Sequence, residues 1–123
     1  MCKVFTDVQM FMSAAGQSIN KNNPEQSDLY SKLITEEYSE FCEAFQQDDE
    51  VEMADACFDM IWVIVGFMAS KGWDCNAIWD EGTKSNLAKI DKETGKVLKR
   101  EDGKVMKPEG WQPPDFGKFV VKT

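Results

Sequence analysis

The 123 residues suit a single domain, residues 1–123, large enough for a core of its own. A net charge of −8, from 22 acidic against 14 basic residues, disfavours non-specific binding to nucleic acid, which rests on Lys and Arg neutralising phosphates. A mean hydropathy of −0.45 with 29% charged residues argues against a membrane protein, and the longest apolar run, Met60 to Ala69, is about half of what spans a bilayer.

Val4, Phe5, Val8, Phe11, Met12 and Ala15 recur at helical spacing and predict a first helix, with Gly16 just past its end as a stop. No charged start followed by an apolar centre and a small-residue cleavage site precedes it, so the expectation is a cytoplasmic protein without a signal peptide. Gln17 to Gln26 is polar, contains Pro24, and reads as a loop. Ser27 and Asp28 are N-cap candidates for a second helix running to about Phe45. A tight turn at Gln47 to Asp49 then folds a third helix, Glu50 to Lys71, back antiparallel beside the second. From Ala54 to Ala69 the third helix is apolar nearly all round, the pattern of a buried core helix, and Gly66 suits a close helix contact.

Gly72 ends that helix. Asp74 caps a fourth through Ala77, Ile78 and Trp79, with Thr83 to Ile90 following after Gly82. Beyond it, Lys96-Val97-Leu98-Lys99 and Lys104-Val105-Met106-Lys107 flank an Asp102-Gly103 turn signal and predict a short β-hairpin, after which Pro108, Pro113 and Pro114 break regular structure. The fold class expected is therefore all-α: an antiparallel bundle of about four helices over residues 4–90, with a basic hairpin and extended tail over 91–123.

Chemistry concentrates on the second and third helices. Positions three and four apart share a helix face, so Glu37 lines up with Glu40, and Glu52 with Asp55 and Asp59. Glu37 falls within the apolar arc of Tyr30, Leu33, Ile34, Phe41 and Phe45, and Asp55 and Asp59 continue toward Trp62, Val63 and Gly66. Ionised carboxylates on apolar faces cost several kcal/mol unless compensated, and facing like charges worsen the balance. A cation belongs between the two stripes. Oxygen-only ligands suit a hard ion, Mg²⁺ or Mn²⁺. The sequence has no His and its four cysteines, Cys2, Cys42, Cys57 and Cys75, form no CxxC pair, which argues against zinc; Cys42 and Cys57 read as free buried thiols. Charge is also divided along the chain. Residues 25 to 59 are strongly acidic, whereas Lys84, Lys89, Lys92, Lys96, Lys99, Arg100, Lys104, Lys107, Lys118 and Lys122 make the last third basic, a polarity that suits an anionic, metal-carrying ligand.

Glu36-Glu37-Tyr38-Ser39-Glu40 followed by Glu52-Met53-Ala54-Asp55 resembles the EExxE and ExxD motifs of the all-α nucleoside triphosphate pyrophosphohydrolases, in their MazG-like and phosphoribosyl-ATP pyrophosphohydrolase-like branch. Asp59 with Trp62-Val63 and Gly66, the run Lys84-Ser85-Asn86-Leu87-Ala88-Lys89, and Glu101 to Val105 with Pro113-Pro114-Asp115 are similar to the later elements of that branch. The resemblance implies Mg²⁺ ligands at Glu37, Glu40, Glu52 and Asp55, with Mn²⁺ as a substitute, and Glu36 as a further ligand or the group orienting the attacking water. Glu36, Glu37 and Glu40 then form the catalytic set. It implies substrate contacts at Lys84, Asn86 and Lys89, with Asp59 assisting near the metal or sugar. Lys104 joins them as a phosphate contact, although Lys104 and Lys107 read equally well as a solvated hairpin edge. The implied reaction splits the α–β bond of a nucleoside triphosphate into monophosphate and pyrophosphate, in a homodimer or homotetramer. The alternatives are a non-catalytic nucleotide- or metal-binding module of the same fold, and a helical interaction protein docking a basic partner.

Overall fold

The computed structural model describes residues 2–120, so Met1 and Lys122 lie outside the described residues. Four helices occur in chain order: α1 (Lys3–Ala14), α2 (Pro24–Gln46), α3 (Glu50–Ser70) and α4 (Cys75–Leu87), with a 3₁₀ turn at Gly117–Phe119. The all-α bundle is as expected. α3 is its centre, packing against α2 along its length and also against α1 and α4. The core is small: Phe5, Val8 and Met12 of α1, Tyr30 of α2, Val63, Val65 and Ala69 of α3, and Cys75 at the start of α4.

The α2–α3 hairpin follows from local chemistry. After Gln46 the chain turns through Asp48 at φ +55, and the Asp49 side chain accepts from the Glu52 N–H to cap α3. Farther along, Gly66 meets Tyr30 so closely that a methyl group added at Gly66 would overlap the phenol ring. The Tyr30 hydroxyl then donates to Gln17 Oε1 at 2.7 Å, which ties the hairpin to the α1–α2 loop. Buried Gln26 strengthens that tie: its amide donates to Ser18 O and to Ser70 Oγ, each at 2.7 Å, and its Oε1 accepts from Ser18 N at 2.9 Å.

Several expectations need correction. α2 begins at Pro24, capped by the Asn23 side chain on Gln26 N, rather than at Ser27 or Asp28. Proline lacks the N–H that the first helical turn leaves unused and has its φ preset, so Pro24 starts a helix instead of extending the loop; Ser27 is buried and its hydroxyl donates back to Pro24 O. α4 passes through Gly82 without a break. The β-hairpin is reduced to one antiparallel bridge, Lys99 to Val105, around the expected turn at Asp102-Gly103, and no strand forms among the described residues. An isolated two-stranded ribbon is marginal in water, and here nothing packs on it as a sheet. Finally, α3 is not buried all round. Phe58 is 57% and Ile61 54% exposed, with Cys57 and Ile64 on the same open side, because α1, α2 and α4 cover only part of its circumference. All four thiols are free, and Cys57 is exposed and Cys42 half-buried rather than buried. By length and composition alone α3 could cross a membrane; its packing against three other helices makes it the core helix of this bundle.

Candidate metal and nucleotide site

Antiparallel packing of α2 on α3 brings Glu37, Glu40 and Asp59 together, with one carboxylate oxygen from each lying within 4.8 Å of the others. Glu37 and Asp59 are half-buried, whereas Glu40 is exposed. Glu37 Oε2, one of its two carboxyl oxygens, is shielded from water and has no hydrogen-bond partner among the described residues. Desolvation, reinforced by the Glu40 and Asp59 carboxyls, pushes the Glu37 carboxyl up to about 7. Asp59 is raised as well, first by burial and then by the charge of Asp55, while its hydrogen bond with Glu37 works the other way. The cluster is thus under electrostatic stress in a protein already at −8, which a proton at lower pH or a bound cation relieves. The donor set fits a hard divalent ion: three carboxylates, one of them presenting an orphaned buried oxygen, and neither nitrogen nor sulfur within the cluster.

A second group adjoins the first. Glu40, Glu43, Gln47, Glu52 and Asp55 line a cleft of about 280 Å³ at the turn end of the hairpin, floored by Ala44 and Ala56. Glu40 belongs to both groups, so the expected ligands Glu37, Glu40, Glu52 and Asp55 fall along one continuous acidic seam. Asp59, expected to assist near the metal or sugar, sits with Glu37 and Glu40. Glu52 and Asp55 are exposed, which differs from the apolar setting read for Asp55; the seam runs along the rim of the helix pair and only its inner end is covered. Glu36 is exposed and belongs to neither the cluster nor the cleft. Glu43 was not anticipated; its place one turn from Glu40 on α2 was the available signal.

The basic residues assemble elsewhere. Lys84 and Lys89 line a larger cleft of about 890 Å³ formed by the end of α4 and the tail, and this cleft shares no residue with the acidic one. Asn86 Oδ1 accepts from Lys89 Nζ at 3.1 Å. Lys104 is exposed at the bridged turn and does not line the cleft. The aromatic residues of the bundle mostly pair with one another: Phe11 and Phe58 both lie against Trp62, at 5.5 and 5.6 Å between centroids, and Phe67 meets Trp73 at 5.9 Å. Sequence reasoning missed Trp111, which lines the Lys84 cleft. A tryptophan in a polar, proline-rich tail outside any helix has no core to fill, and that was the signal.

Comparison with known families adds one match. The family described as phosphoribosyl-ATP pyrophosphohydrolase matches residues 8–86, a stretch that holds every residue of the acidic seam and ends at Asn86. No curated protein matches the chain.

Proposed function

Because the match spans well over half of the sequence, the chain belongs to the phosphoribosyl-ATP pyrophosphohydrolase family, and from that premise we propose that it is a Mg²⁺-dependent nucleoside triphosphate pyrophosphohydrolase. It hydrolyses the α–β phosphate bond of a ribo- or deoxyribonucleotide to the monophosphate and pyrophosphate. The observation that carries this reading is the meeting of Glu37, Glu40 and Asp59 around a buried oxygen without a partner. Structural carboxylates in a helical bundle gain nothing from such an arrangement, whereas a site built for a divalent ion requires it.

Glu37, Glu40, Glu52 and Asp55 would hold Mg²⁺, with Mn²⁺ as a substitute, and Asp59 completes the inner end of the seam. When bound, the ion supplies charge neutralisation and polarisation of the phosphoryl oxygens. The chain's own residues do the rest by positioning. Glu36 orients the attacking water or adds a further ligand, and Lys84, Asn86, Lys89 and Lys104 contact the phosphates. In-line attack needs little beyond such placement and charge stabilisation.

The protein acts as a single domain in the cytoplasm, as a homodimer or homotetramer. Two features support assembly: the uncovered apolar side of α3, with Phe58, Ile61 and Ile64, and the separation of the lysine cleft from the carboxylates within one chain. A neighbouring copy would cover the first and could close the second.

Glu40→Gln tests the site. The substitution removes a charge from an exposed position beside Glu37, so the fold is expected to persist with an unchanged far-UV circular dichroism spectrum and an equal or slightly higher melting temperature, while turnover falls by at least about 100-fold, the loss typical of removing a group that stabilises transition-state charge. Activity equal to wild type would remove Glu40 from the site.

A further inference from the structure

We propose that Trp111, which lies outside the family-matched region, is the positioning residue of the basic half of the site: its indole closes the end of α4 and holds Lys89 and Lys107 for the polyphosphate of the substrate. This inference rests on the reading of Lys84, Asn86 and Lys89 as phosphate contacts.

The end of α4 explains why a tryptophan is there. The helix tightens as it stops, with Lys89 N donating to Asn86 O at 3.1 Å and Ile90 N to Leu87 O at 3.1 Å. The Ser85 carbonyl accepts instead from Trp111 Nε1, at 2.8 Å. Ser85 is buried, and its hydroxyl donates to Gln112 O at 3.3 Å, so one serine fastens the tail at two successive residues. The Trp111 backbone N–H is itself committed to Pro108 O at 3.1 Å. The ring therefore has a fixed place. Over it stand two ammonium groups, Lys89 Nζ and Lys107 Nζ, each 5.1 Å from the centroid.

Lys84, Lys89 and Lys92 line the cleft together with Glu81, Asp91 and Glu109, so its lining charges balance, and Lys107 over Trp111 adds one more cation beside it. Glu81 spends its carboxylate on the Asp115 N–H at 2.9 Å, and Asp91 on the N–H groups of Glu93 and Thr94 at 2.8 and 3.3 Å. Lys84 and Lys92 make no salt bridge among the described residues. A helix C-terminus ordinarily repels anions through its free carbonyls. Here the Trp111 N–H covers one of them, and Lys84 sits in the last turn of α4. The tryptophan thus removes an obstacle to phosphate and holds two cations against its ring, Lys89 in the cleft and Lys107 beside it.

Binding of inorganic pyrophosphate to the full chain in EDTA, followed by calorimetry, tests this without calling on the carboxylates or on turnover. Wild type is expected to bind; Trp111→Leu to bind at least about tenfold more weakly; and Trp111→Phe, which keeps a ring face for the lysines but loses the N–H to Ser85 O, to fall between the two. Lys107→Gln leaves the Trp111–Ser85 clamp intact and is expected to weaken binding severalfold even if Trp111→Leu does not fold. With a nucleotide that is turned over, Trp111→Leu should raise KM by a similar factor and leave kcat within about twofold, as expected for a group that acts in binding rather than in the chemical step. Wild-type affinity in Trp111→Leu or Lys107→Gln, equal losses in the Leu and Phe variants, or no pyrophosphate binding by wild type would each overturn the proposal. Pyrophosphate binding by a wild type that turns over no nucleotide would instead count against the enzymatic reading.

Discussion

Glu37 has its carboxyl held near 7 by burial and by two neighbouring acids, and that shift has a stability consequence with a definite sign. The folded state binds the Glu37 proton more tightly than the unfolded chain does, so the contribution is fully present below the ordinary value of 4.5 and is lost as pH rises through about 7. Asp59, also raised, acts in the same direction. In EDTA the melting temperature is therefore expected to fall between about pH 5 and about pH 8. Glu37→Gln should remove most of that slope and leave the variant more stable than wild type at the alkaline end. An identical pH dependence in the two proteins would mean that Glu37 is not the strained group. Gly66 gives a second test of a single residue. A methyl there would collide with Tyr30, and overpacking of that kind costs about 1–3 kcal/mol, more than the gain of up to about 1 kcal/mol in helix propensity. Gly66→Ala should lower the melting temperature; a rise would show that the α2–α3 contact has room to spare.

Among elements, the hairpin of α2 and α3 was legible because its signals are local and periodic. The Glu37–Glu40 spacing, the polar break at Gln47–Asp49 and the apolar run of α3 each constrain the chain over a few turns, and together they place two acidic stripes face to face. The start of α2 was misread because Pro24 serves equally as a breaker and as a first helical residue, and only the cap from Asn23 decides which. The lysine cleft was beyond reach for a different reason. It is built by a tail without regular structure, fixed by Ser85, Trp111 and Glu81 across 26 to 34 residues of sequence, and no periodicity reports such contacts. Gln26 was likewise passed over as loop polarity although it is the hub of a buried network. Gln26→Ala removes the partners of the half-buried Ser18 backbone and of the buried Ser70 hydroxyl, which keeps only Gly66 O, and should cost about 1–3 kcal/mol in chemical denaturation. A loss within experimental error would mean that water replaces the amide at no cost.

For the whole molecule, the division of charge and the open side of α3 are the dominant features. Residues that look core-like by periodicity, Phe58 and Ile61 above all, are exposed because α1, α2 and α4 cover only part of the circumference of α3. A sedimentation experiment should return a dimer or tetramer for wild type and a monomer for the Phe58→Glu, Ile61→Glu double variant; a wild-type monomer would leave that face without its proposed cover. Divalent ions give the complementary test, since any ligand that binds only the folded state stabilises it, by about 2.7 kcal/mol at a hundredfold excess over Kd. Mg²⁺ should raise the melting temperature of wild type but not of Glu37→Gln. A helical interaction protein with a merely solvated acidic face would show no such ion-dependent difference between the two.

The proposed reaction is identified by its products. Purified protein with Mg²⁺ should be incubated with a panel of ribo- and deoxyribonucleoside triphosphates and with phosphoribosyl-ATP, and the products resolved by anion exchange. A pyrophosphohydrolase with its metal on the α2–α3 seam yields monophosphate and pyrophosphate from one or a few of these substrates, and neither when EDTA replaces the metal. Diphosphate with inorganic phosphate, or no product from any substrate with Mg²⁺ or Mn²⁺, would contradict it.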